Sequence, residues 1–178
     1  MIKYQTSMLN TLSEQDRANI IDFIVSNADA TIPLREIFYE EVQRNVGAEL
    51  VMAYDGGDVI GVHMFRSARF SRMVNNNDDV KKALDVTDFI LEDLVVTLMT
   101  AVNATYRGQG IGSTLYAKVE EAASAKGYKA FMPVMPSHST LALQFLTGKA
   151  EENQNTIMLN YTDSMGFQMR IMPFAGSS

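Results

Sequence analysis

An apolar run rich in β-branched residues, Leu94 to Val102 (Leu-Val-Val-Thr-Leu-Met-Thr-Ala-Val), leads into a turn carrying glycines at 108, 110 and 112. The run has the length and composition of a buried strand. Behind the turn, Ile111, Leu115, Val119 and Ala122 or Ala123 recur every three or four residues until Gly127, the pattern of a helix with a glycine stop. Strand, glycine-rich turn and helix therefore follow one another. Glycine lets the backbone take positive φ and keeps a Cβ out of the way of a close ligand. The first turn of the helix offers unpaired N–H groups and the positive end of its dipole, which suits a phosphate. The stretch reads as a binding site for a phosphate-bearing cofactor.

Spacing decides among the motifs that share this logic. A P-loop needs Gly-x-x-x-x-Gly-Lys-Ser/Thr, but Gly112 is followed by Ser113 with no lysine. A dinucleotide fingerprint needs Gly-x-Gly-x-x-Gly and an acid about twenty residues on. Here the glycines read Gly-x-Gly-x-Gly, and the acid's position falls in Lys129-Ala130-Phe131. What fits is Arg-x-x-Gly-x-Gly, Arg107 to Gly112, preceded by Val102. This resembles motif A of the GNAT superfamily of acyl-CoA-dependent N-acyltransferases. Further on, Tyr161 stands five residues before Gly166-Phe167, which resembles motif B. There the resemblance implies a helix over 155–166, with Gly166 as its stop. The resemblance runs from about Glu49 to Phe167.

The rest of the chain reads as mixed α and β. A first strand is predicted over Ile2 to Met8. A helix follows Ser13-Glu14-Gln15-Asp16, which has the form of a cap, and a second runs from Thr31 to about Asn45 with Pro33 in its first turn. Glu49 to Tyr54 and Val59 to Phe65 form a hairpin across Asp55-Gly56-Gly57-Asp58. Residues 66–88 are polar and poorly patterned, with Asn75 to Asp79 an exposed loop tip and a brief helix around Val80 to Leu84. Lys129 to Met135 is a strand interrupted by Pro133, which cannot donate to a ladder. Two readings fit the proline: a strand splayed from the motif strand, as the resemblance implies, or a bulge or strand end at Met132. A helix over Ser137 to Leu146 closes at Gly148 and belongs to an apparent insertion of about 137–154, placed to cover the site or to mediate self-association as a homodimer. Gln168 to Phe174 supplies a last strand.

With 178 residues and no linker or repeat, one domain over 1–178 is expected. A net charge of −6 argues against a nucleic-acid surface. The absence of cysteine removes disulfides, thiolate nucleophiles and Cys-ligated metal, and no metal site is expected. The N-terminal segment lacks a signal peptide's apolar core, and no run reaches the ~18 apolar residues of a membrane span, so a soluble cytoplasmic protein is expected.

The resemblance implies an α/β fold with a mixed, mostly antiparallel central sheet flanked by helices and splayed strands around the motif strand. It implies transfer of an acetyl group from acetyl-CoA to a primary amine, on a small molecule or a peptide. The backbone of Arg107, Gly108, Gln109, Gly110, Ile111 and Gly112, with Ser113, would hold the pyrophosphate of coenzyme A. The edge of Thr100, Ala101 and Val102 would pair with pantetheine. Tyr161 would protonate the leaving thiolate, a task suited to a phenol of pKa about 10. Some family members keep a glutamate six residues before the motif valine, where this chain has Val96. Glu92, on the same face of a regular strand, could then take the amine's proton through a water, with His138 and His63 as weaker candidates. A CoA-binding module without catalysis is the alternative.

Overall fold

The computed structural model describes residues 1–29, 32–44, 47–133, 140–162 and 168–175, with side chains at 73, 140, 160–162 and 168 excluded. In chain order the elements are β1 (Lys3–Met8), α1 (Glu14–Asn27), α2 (Leu34–Arg44), β2 (Glu49–Asp55), β3 (Asp58–Ser67), α3 (Arg72–Asn75), α4 (Asp78–Leu84), β4 (Leu94–Val102), α5 (Ile111–Ala125), β5 (Ala130–Phe131), α6 (Thr140–Glu152), β6 (Ile157–Thr162) and β7 (Gln168–Pro173). The strands form one seven-stranded sheet in the order β1-β2-β3-β4-β5-β7-β6. Only β4 and β5 pair in parallel, across the crossover helix α5; every other pairing is antiparallel. This is the mixed, mostly antiparallel sheet expected from the sequence.

Local chemistry explains the frame. Ser13 caps α1 by accepting from the Asp16 N–H at 3.1 Å. The β2–β3 turn uses Gly56 and Gly57 at φ +61 and +105, a conformation that other L-residues resist. The central strands are buried on both faces, so they alternate between two cores rather than between core and water. Leu50, Met52, Val62, Met64 and Met99 pack beneath α1 and α2. Val51, Ala53, Phe65 and Val95 pack beneath α5 and α6. A third cluster, with Leu94, Val96, Met132, Leu159 and Ile171, joins the far end of the sheet to α3 and α4. Among the described residues no helix is long and apolar enough to cross a membrane.

Three expectations are corrected. Residues 66–88 are not a polar excursion: β3 continues to Ser67, Arg66 is buried in an ion pair with Glu41 of α2, and α3 and α4 follow. Asn75 to Asp79 is the joint between those helices, where the Asn77 side chain accepts from Asp79 and Val80 N–H groups and so caps α4. The segment predicted as a motif B helix over 155–166 is instead strand β6 from 157 to 162. Its inward side chains alternate: Leu159 is 2% exposed and its neighbour Met158 49%, the period of a strand. The helix expected to close at Gly148 instead passes through it: α6 runs to Glu152 and stands between β5 and β6 in chain order.

Candidate active site

β4 has a partner on its β5 side for only its first residues. Leu94 and Val95 pair with Ala130 and Phe131, and the Met132 N–H donates to the Val95 carbonyl at 2.9 Å. Pro133 comes next and has no N–H to give. Among the described residues, Val96 to Val102 have no strand on that side. The reading in which the strand ends by Met132 holds, since β5 ends at Phe131 and leaves a wedge beside β4 among the described residues; a splayed continuation would lie in residues 134–139, outside the described residues. Leu98 is skipped in the β3–β4 register, which passes from Met64↔Met99 to Phe65↔Thr97, so a bulge sits midway along the open edge.

The wedge widens into a cleft of about 360 Å³ at the C-terminal end of β4. Thr100, Ala101 and Val102 form one wall, and Leu141, Ala142 and Phe145 of α6 form the other. Its mouth is the glycine turn. Asn103 turns the chain by accepting from the Thr105 N–H at 2.9 Å. Gly108 and Gly110 then take φ +77 and +81. Gly110 is the N-cap of α5, yet no side chain caps the helix and no acid lies in its first turn. The first N–H groups of a helix lack internal partners, so this end presents bare donors and positive dipole. A Cβ built on Gly108 or Gly110 would meet nothing within 4 Å. The cradle is open, electropositive and free of side chains, which fits a diphosphate. Gly112 faces α6 instead: a Cβ there would meet the Phe145 ring at 3.6 Å, an ordinary packing distance.

Nine of the ten residues expected to hold a cofactor line this cleft: Thr100, Ala101, Val102, Arg107, Gly108, Gly110, Ile111, Gly112 and Ser113. Gln109 does not, and its amide donates back to the Thr105 carbonyl at 3.4 Å. The Arg107 guanidinium is committed to the backbone, with Nε donating to Val102 O at 3.2 Å and Nη2 to Asn27 O at 2.8 Å. It ties the end of α1 to the end of β4. Tyr106 borders the cleft and donates to Asp55 Oδ2 at 2.9 Å, a bond that raises its pKa.

Glu92 is not brought to the cleft. It sits in the turn ahead of β4, half exposed, paired with Arg69 at 3.6 Å. The backbone of Tyr161 lies in β6, the edge strand beyond β7, and its side chain lies outside the described residues, as does His138. His63 is sealed in the floor beneath the open edge, and burial lowers its pKa to about 4. At neutral pH it is an uncharged imidazole, and a weak base. Sequence reasoning missed Asn27, Tyr106, Leu141, Ala142 and Phe145. The helical pattern at 137–146 was the signal for the last three, but only the folded crossover shows which wall they form.

The description of the Acetyltransferase (GNAT) family matches residues 16–147 of the chain. No curated protein matches it. Among solved structures, the AHL synthase LasI is similar with a TM-score of 0.66 at 8% identity, over 99% of this chain and 92% of that one. The PaiA N-acetyltransferase from Thermoplasma acidophilum, in complex with coenzyme A, gives 0.62 at 14% identity, over 98% and 99%. The ribosomal-protein-S18-alanine N-acetyltransferase from Escherichia coli gives 0.56 at 11%, over 99% and 97%. At these identities the likeness is one of fold.

Proposed function

The chain belongs to the acetyltransferase (GNAT) family, and on that premise we propose that it transfers an acetyl group from acetyl-CoA to a primary amine. One observation carries the reading: two positive-φ glycines deliver the uncapped N-terminus of α5 to the mouth of a cleft walled by a strand edge that has no partner strand among the described residues. The backbone N–H groups of residues 108–113 would hold the diphosphate. The backbone groups of Thr100 to Val102 that face away from β3 would pair with the amides of the pantetheine arm, and Leu141 and Phe145 would cover its methyl groups. The bound thioester supplies the acyl group.

The remaining roles belong to protein side chains. Tyr161 is assigned as the acid that protonates the departing thiolate, its phenol being protonated at neutral pH. An alkyl amine must lose a proton before it attacks. Glu92 can serve it only through water, because its position ahead of β4 and its pairing with Arg69 hold it away from the cleft. A net charge of −6 favours a cationic acceptor, and an alanine amine of a protein, as in the name of the Escherichia coli neighbour, is one such class. A non-catalytic CoA-binding module is the second reading, favoured by the buried Val96 where some relatives carry a glutamate.

Thermal unfolding with acetyl-CoA, followed by a panel of amines, tests both. At one hundred times Kd a ligand of the folded state adds about 2.7 kcal/mol, or roughly 5–11 °C for a chain of this size at ~2–4 °C per kcal/mol. A shift with NAD or ATP but none with CoA would remove the assignment. A CoA shift without turnover on any amine would favour the module. Dephospho-CoA should bind and free pantetheine bind poorly; equal binding would move the anchor away from the glycine turn.

A further inference from the structure

Beneath the open edge of β4 lies one polar pair in an otherwise apolar floor. His63 of β3 is 1% exposed, and its Nε2 stands 2.7 Å from Thr97 Oγ1. The Phe131 ring meets the imidazole edge-on at 6.1 Å. Thr100, the register partner of His63, uses its hydroxyl on the Val62 carbonyl at 3.2 Å. Thr97 is half-buried and lies two residues past Val95, where the β5 ladder stops. Its hydroxyl is thus the link between a sealed, neutral imidazole and the open edge. A polar group buried in such a floor is unfavourable unless bonded, and among the described residues its side-chain partner is Thr97 at the wedge.

The length of the donor brings its reacting end to the same place. From diphosphate to sulfur, the arm of coenzyme A has about thirteen bonds, or about 15 Å extended at the ~3.3–3.6 Å that an extended chain gains per three bonds. Thr97 precedes Val102 by five residues, about 16 Å along a strand that rises ~3.3 Å per residue. An arm whose diphosphate end lies level with Val102 and that is laid along β4 would therefore end near Thr97 and the bulge at Leu98.

We propose that the Thr97 hydroxyl donates to the acyl carbonyl oxygen of the thioester, and that His63 is the positioning residue that aims it. The proposal rests on the acyl-CoA reading above. An imidazole protonated at Nε2 donates to Thr97 Oγ1, so the hydroxyl's own hydrogen is left to point along the edge. As the amine lone pair forms the C–N bond, the carbonyl π pair moves onto oxygen, where that hydrogen meets it. When the pair returns, the C–S bond breaks and the thiolate leaves. The amine's proton goes to the base and the thiolate takes one from the acid; Thr97 and His63 keep theirs.

With two histidines in the chain, ring-nitrogen NMR resolves His63, assigned by its loss in H63Q. The expected result is a neutral Nε2–H tautomer whose signal moves on addition of acetyl-CoA and moves less with CoA, which lacks the carbonyl. In T97V the response should vanish while acetyl-CoA still raises the melting temperature. With any amine turned over, T97V should lower kcat about 10²–10³-fold, the range for removing one such donor, and T97S should restore it. An Nδ1–H tautomer, equal responses to the two ligands, or an unchanged response in T97V would each overturn the proposal. Absence of any thermal shift with acetyl-CoA would instead sink the donor reading, and the same samples tell the two failures apart.

Discussion

Replacing Gly110 by alanine and by aspartate asks two different questions of one backbone position. The residue stands at φ +81 with open space around any added Cβ, so alanine meets no clash and suffers only the left-handed backbone, about 1–2 kcal/mol. At ~2–4 °C per kcal/mol the melting temperature should fall by roughly 2–8 °C. Aspartate tolerates this conformation better and sets a carboxylate beside a bare helix N-terminus, a gain of about 0.3–1 kcal/mol. It should be the more stable of the two. Binding should rank them the other way. A carboxylate about 5 Å from a bound phosphate repels it by about 0.8 kcal/mol in water and about 3 at an effective dielectric of 20. CoA should therefore bind the aspartate variant about 4- to 150-fold more weakly than the alanine variant, and added salt should narrow the gap. Urea denaturation gives the first ranking and calorimetric titration with CoA the second. Equal affinities in the two variants would refute the placement of the diphosphate at the start of α5.

Gly61→Val tests the seat of the same helix: a Cβ there comes within 3.0 Å of Leu115 Cδ1 and 3.1 Å of Ile111 Cγ2. Overpacking of this kind costs about 1–3 kcal/mol and should weaken CoA binding as α5 retreats; wild-type stability and affinity would contradict the close approach. His63, at about 4 in the fold against 6.5 when free, takes up its proton earlier in the unfolded chain. Its contribution is then complete above pH 6.5 and lost as pH falls toward 4, by about 3 kcal/mol in all; urea midpoints of wild type and H63Q at pH 7.5 and 5 should converge toward the lower pH. Tyr161→Phe should leave CoA affinity alone and lower kcat and kcat/KM together by about 10²–10⁴, the range for a positioned acid; full activity would end the acid role. Glu92→Gln should remove the acidic limb of the pH–rate profile, and an unchanged profile would assign deprotonation to solvent.

The motif stretch was legible because each of its parts is local. A β-branched run, positive-φ glycines and a 3.6-residue period need no distant partner to be recognised, and the hairpin at Asp55 to Asp58 is of the same kind. The parts that were misread depend on tertiary placement. Arg66 looked like the start of a polar loop because its burial depends on Glu41, a residue of α2. Asn27 carries no signal of its own and joins the cleft because the Arg107 guanidinium reaches the Asn27 carbonyl. The region from 137 to 166 failed for another reason. A Tyr spaced from Gly-Phe suggested a helix, and nothing local opposed it: Ile157, Met158 and Leu159 are all apolar, so the alternation of β6 shows only in its burial.

Pro133 links the two kinds of information. A parallel strand feeding from α5 beside β4 would ordinarily continue the ladder along Val96 to Val102 and close the edge. Among the described residues Met132 gives the last N–H to that ladder, at Val95, and the imino nitrogen of Pro133 has none to follow it. The bulge at Leu98 lies three residues further along β4. Among the described residues the open edge thus begins beside a residue with no donor, Pro133, and carries one extra residue of β4 itself, Leu98. Because that edge leads straight to the glycine turn, the same segment that ends the sheet ladder also sets the length of arm the cleft accepts. A Pro133→Ala change should leave the diphosphate cradle intact, and it would bear on the start of the β4 edge, beyond the cleft, where Thr97 and His63 lie.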